Sequence, residues 1–145
     1  MEEQPYSFRQ TNQDTVRYEF ESVSKKKVVR KIVEYTLIDK DLSLYNLALL
    51  DAFENSFSDT SISNNDDMPK VLATVFQTIL HFFEANPSAV IVFEGSTPSR
   101  TRLYRIAIAR SKYEIEHKFR ILGLINGEFE DFVNNRDYKA FLLKQ

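Results

Sequence analysis

The chain predicts an α+β domain: a mainly antiparallel sheet with two principal helices packed on one face, and a strand–turn–helix unit at 89–109. Three observations carry that expectation. Val16, Tyr18 and Phe20 alternate with Arg17, Glu19 and Glu21, as in a strand with one wet face. Met68, Val71, Leu72, Val75, Ile79, Phe82 and Phe83 fall within a stripe of about 120° at 100° per residue, the mark of an amphipathic helix. Val90 to Phe93 is a short continuous apolar run followed by Gly95, Thr97 and Pro98, which reads as a buried strand, a tight turn and a capped helix start.

Residues 1–14 are polar apart from Tyr6 and Phe8, and a loosely ordered start is expected. The strand from Val16 breaks at Ser22 to Lys27, and Val28 to Ile38 resumes the alternation, so the two pair as a hairpin. Leu44 to Phe53 has helical propensity, but it alternates and follows a hairpin. A third strand is expected there, and a fourth in Phe57 to Ser63. Asp66 or Asp67 caps the amphipathic helix, which places Lys70, Thr74, Gln77, His81 and Glu84 off its apolar stripe and ends at Asn86-Pro87.

Leu103 and Ala107 continue the second helix. Ser111-Lys-Tyr-Glu114 has the form of a capping box, so that helix breaks near Arg110 and restarts. Phe119 to Ile125 reads as a strand, and Asn126-Gly127 turns it back into Glu128 to Val133 through a type I′ turn with positive φ at both positions. Tyr138 to Leu143 fits either strand or helix. With no repeat and no long linker, residues 1–145 form one domain.

Composition excludes several functions. With 19 basic and 21 acidic residues the net charge is −2, against a protein that coats nucleic acid or an acidic membrane. The lack of cysteine removes disulfides, thiolate metal sites and cysteine nucleophiles, and fits a reducing cytoplasm. No run of about 18 apolar residues is present, so a cytoplasmic, unanchored protein is expected.

Tyr45-Asn-Leu-Ala48, Lys70-Val-Leu-Ala-Thr-Val75, Gly95-Ser-Thr-Pro-Ser-Arg-Thr-Arg-Leu-Tyr104 and Tyr138-Lys-Ala-Phe141, in that order, resemble an uncharacterised family of small single-domain bacterial proteins. The resemblance implies one intact domain and makes the Gly-Ser-Thr-Pro-Ser-Arg stretch its most distinctive feature. It brings no activity, cofactor or catalytic residue.

Gly95, Ser96, Thr97, Ser99, Arg100 and Arg102 form the candidate ligand site. A strand-to-helix turn with hydroxyls and free N–H groups at the positive end of a helix dipole favours an anion, and the arginines add charge. The plainer reading is a helix cap and nothing more. The second glycines of a phosphate loop or dinucleotide fingerprint are absent. Helical spacing puts Arg100 on the side of Leu103, Tyr104 and Ala107 that faces the sheet, with Arg102 and Arg105 pointing away. A core-facing arginine needs compensation. Glu94 is the nearest internal partner, and a ligand phosphate or carboxylate is the alternative.

Lys25-Lys-Lys27, Arg30 and Lys31, with Arg100, Arg102, Arg105 and Arg110, assemble a nucleic-acid face only if the hairpin and helix adjoin. A protein-interaction module with a purely structural turn is a further alternative. His81 and His117 read as exposed side chains, Asp66-Asp67, Asp39 with Asp41, and Glu128 with Glu130 as ordinary wet acids, so no metal site and no cofactor is expected. Ser96 and Ser99 lack an assignable histidine base, and no catalytic residue is assigned. The expected partner is an anionic small molecule or a protein.

Overall fold

The computed structural model describes residues 4–12, 15–23, 28–53, 56–58 and 68–145. The capping aspartates, the lysine cluster at 25–27 and the end of the expected fourth strand lie outside them. Alternation over the first half produces an antiparallel meander: β1 (Phe8–Asn12), β2 (Val16–Val23), β3 (Val28–Asp39) and β4 (Leu44–Phe53). β1 forms within the stretch that the sequence reads as a loose start, pairing Phe8 with Phe20. β4 is the expected strand. Val33, Tyr35, Leu47 and Leu49 alternate into the core, and a strand of that register keeps a helical propensity from being expressed. β5 (Ser56–Ser58) folds back on the end of β4.

The second half is built from crossovers. α1 (Met68–Ala85) carries the chain from β4 to β6 (Val90–Phe93), which lies parallel to β4. α2 (Pro98–Arg110) and α3 (Lys112–Glu116) carry it on to β7 (Arg120–Ile125). β8 (Glu128–Asp131) returns through Asn126 and Gly127, both at positive φ (54° and 77°) as a type I′ turn requires. β9 (Ala140–Lys144) then inserts between β6 and β7, giving the order β1-β2-β3-β4-β6-β9-β7-β8 with β5 beside β4. Both crossovers advance in one direction along the sheet, so right-handed connections put their helices on one face.

The buried side chains agree with that placement. Tyr18, Phe20, Val33, Tyr35, Leu47, Ile91, Phe93, Ile121, Phe141 and Leu143 from the sheet form one core with Val71, Leu72, Val75, Ile79, Phe82 and Phe83 of α1. The other face carries the ion pairs Arg17–Glu34 (2.8 Å) and Arg30–Glu19 (3.5 Å).

Three expectations are corrected. Thr74, placed off the apolar stripe of α1, is fully buried, and the Tyr6 backbone N–H donates to its hydroxyl at 2.8 Å. Leu103, placed toward the sheet, is exposed, and the buried side of α2 is Arg100, Thr101, Tyr104 and Ile108. Ser111 makes no side-chain cap to α3, although the helix breaks at Arg110 as expected.

Candidate functional site

The turn from Glu94 to Thr97 sits where the sheet is interrupted. β6 ends at Phe93, paired with Leu47 on one side and Phe141 on the other, while β4 runs six residues further and pairs there with β5. Ligands of parallel sheets characteristically lie beyond strand carboxyl ends, over helix N-termini.

Thr97 is the N-cap of α2 in extended conformation, and its Oγ1 accepts the Arg100 N–H at 3.2 Å. Pro98 occupies the first helical position, where its missing N–H costs nothing. Thr101 locks the turn from inside: its N–H donates to the Thr97 carbonyl (3.1 Å), and its hydroxyl accepts the Gly95 N–H (2.9 Å) and donates to the same carbonyl (3.3 Å). Gly95 is required by space, since a Cβ there would lie 2.5 Å from Arg100 Cβ and 2.6 Å from the Thr101 nitrogen. The first turn of α2 is therefore pressed against the end of β6.

Arg100 is 7% exposed. Among the described residues its guanidinium meets no carboxylate and no hydrogen-bond acceptor; Glu94, the partner suggested by the sequence, is exposed and makes no bond to it. Every described side-chain nitrogen or oxygen that is sealed from the surface has a partner. The guanidinium nitrogens of Arg100 hence still touch an opening in the surface. The Arg100 Cβ faces Gly95, where an added Cβ would lie 2.5 Å from it.

Around it, Ser96, Ser99 and Arg102 are exposed and Thr97 is half-buried. Of the first turn of α2, only Ser99 offers a backbone N–H without a partner among the described residues. Beneath the turn, Phe93 and Tyr104 stack with ring centroids 4.6 Å apart. Arg105, one turn along α2, donates to the Arg136 carbonyl at 2.9 Å and approaches Asp137 at 3.5 Å, fastening the helix to the loop before β9. The structure thus brings Gly95 to Arg102 together in one place and leaves Arg110 exposed further along. Arg30 is engaged by Glu19 and Lys31 is buried, so neither extends a basic face toward α2.

A second polar cluster escaped the sequence reading. The Tyr18 hydroxyl lies 2.8 Å from His81 Nδ1, and the Tyr35 hydroxyl 2.9 Å from Thr78 Oγ1. Burial pushes the Tyr18 phenol up to about 12 and raises Tyr35 well above its ordinary value, against a smaller lowering by the Thr78 bond. Burial and the Glu130 carboxylate likewise raise Tyr138. All three phenols are kept neutral, as hydrogen-bonding groups. His117 is exposed, with Nδ1 2.7 Å from the Tyr113 carbonyl. Residues 18 and 81 join a strand to a helix edge, and the only trace in the sequence is a histidine bordering the α1 stripe. A cavity of about 510 Å³ opens beside Ser7, Phe8, Glu19, Phe20, Glu21 and Arg30, with its arginine held by Glu19.

Fold and turn together define a single-sheet α+β domain with one deeply set cation at the start of a crossover helix. The chain belongs to DUF6934, a family of unknown function, whose model matches residues 2–145. No curated protein and no solved structure matches it.

Proposed function

We propose that this domain is a binding module that holds an anionic group, from a small molecule or a protein partner, at the Gly95–Arg102 turn. One observation carries the reading: Arg100 is 7% exposed, and its guanidinium, at an opening in the surface, has no acceptor among the described residues. Its nitrogens reach solvent only through a small opening, and an arriving anion replaces that limited hydration with charge-assisted hydrogen bonds. The Ser99 N–H at the positive end of α2 adds a smaller attraction of the same sign. A purely structural turn explains the cap, the proline and the glycine, but it needs no arginine at position 100. Among the described residues no helix is long and apolar enough to cross a membrane, and a chain without cysteine suits the cytoplasm.

Melting curves of wild type and Arg100→Gln, with and without phosphate, sulphate, nucleotides and carboxylates, test this. Ligand at ten times its dissociation constant stabilises by about 1.4 kcal/mol, or roughly 3–6 °C for a domain of this size. Stabilisation present in wild type and lost in Arg100→Gln is expected; no response to any anion in either protein refutes the site.

A further inference from the structure

The donors left at the turn define the class of anion, an inference that rests on the binding reading above. A tetrahedral oxyanion is ordinarily held at a helix start by successive backbone N–H groups. Here that run is broken, with three of the N–H groups between Gly95 and Thr101 already used. Pro98 has no N–H, the Arg100 N–H donates to Thr97 Oγ1, the Thr101 N–H to the Thr97 carbonyl, and the Gly95 N–H to Thr101 Oγ1. What remains among the described residues is the fork of Arg100, the Thr97 and Ser99 N–H groups set apart by Pro98, the exposed Ser99 hydroxyl and the exposed Arg102 side chain.

Two parallel N–H groups of a guanidinium match the two coplanar oxygens of a carboxylate. Charge agrees with shape. Arg100 is the single deeply buried cation of the turn, Arg105 is committed to the Arg136 carbonyl and Asp137, and Arg102 is exposed. Glu94, next in sequence to Gly95, adds negative charge to the rim. One cation neutralises one negative charge, whereas a phosphate monoester carries about −1.5 to −2. We infer that the turn selects a planar, singly charged carboxylate over phosphate or sulphate, whether that carboxylate is a free organic acid or belongs to a peptide.

The experiment titrates the full-length protein, by calorimetry and by melting temperature at fixed ionic strength, with acetate, benzoate, phosphate, sulphate and a short peptide ending in a free or an amidated carboxyl group. Carboxylates are expected to bind at least about tenfold more tightly than phosphate or sulphate, and Arg100→Lys to lose most of that preference because an ammonium cannot form the parallel pair. Binding of the small acids identifies a free acid as ligand. Binding confined to the free-carboxyl peptide identifies a protein partner, and either supports the assignment. Phosphate or sulphate binding as tightly as the carboxylates overturns the selectivity while leaving an anion site; silence toward every anion overturns the site as well. Selectivity is read in wild type, so a poorly folded variant does not obscure it.

Discussion

α1 and α2 make the same kind of connection in the same sheet, yet they are held by different forces. α1 buries Val71, Leu72, Val75, Phe76, Ile79, Phe82 and Phe83, and its two buried threonines are satisfied by the Lys70 and Val75 carbonyls. Its attachment is hydrophobic area and ring packing, as where Phe82 stacks on Tyr35 with centroids 4.2 Å apart. α2 buries only Arg100, Thr101, Tyr104 and Ile108 while exposing Leu103 and Ile106. It is positioned by a cap, a close glycine contact and the Arg105 tether. The sheet can afford a polar helix start because α1 supplies the core, which frees α2 to present chemistry.

The comparison breaks most readily at α1. Ile79 is fully buried, and Ile79→Ala should cost about 2–5 kcal/mol in a denaturant titration, whereas exposed Gln77→Ala should change stability by less than about 0.5 kcal/mol. Equal losses from both would end the claim that α1 is the hydrophobic anchor.

An alkaline titration sharpens the same side. A phenol whose pKa rises from 10.0 to about 12 on folding keeps its full contribution below pH 10 and loses it as pH climbs through 12. Between those values the unfolded chain has released a proton that the folded one retains, so stability falls by about 1.4 kcal/mol per pH unit. Tyr18→Phe should flatten this part of the pH profile. An unchanged slope would show that Tyr18 titrates alike in both states.

On the α2 side, Gly95→Ala drives a methyl group into backbone that has no side-chain freedom to yield, and should cost about 1–3 kcal/mol. Because Arg100 is what it displaces, anion binding should weaken as well, measured on the same protein by calorimetry. An alanine tolerated at no cost would mean that α2 is not pressed against β6.

The smallest effect has the opposite sign. Arg100→Met replaces a mostly buried cation that has no described carboxylate partner with an apolar chain of similar length, and in anion-free buffer it should raise stability by about 0.5–2 kcal/mol. A loss of stability instead would assign Arg100 a structural role.

Much of this was legible in the chain because it rests on local periodicity and turn chemistry. The α1 stripe, the alternation of β2 and β3, the Asn126-Gly127 turn and the Thr97-Pro98 helix start are decided within a few residues of themselves. The ambiguous Tyr138 to Leu143 resolves as strand, with Ala140–Lys144 flanked on both sides by β6 and β7. That pairing depends on partners far away in sequence. So does the bond between Tyr6 and Thr74, and so does the bond between Tyr18 and His81. At the site, helical spacing placed Arg100 toward the sheet correctly, but it could not show that Glu94 turns to solvent. Gly95 marks a tight turn in the sequence, but the room it leaves for the first turn of α2 depends on how that helix packs against β6.

The insertion of β9 between β6 and β7 also orders events in time. A ribosome delivers β6, and then β7, before their shared neighbour, so until residues 140–144 emerge each displays an unsatisfied edge at what will be the middle of the sheet. Assembly of the centre must wait for the last of the described strands, and the waiting chain is open to pairing with other molecules.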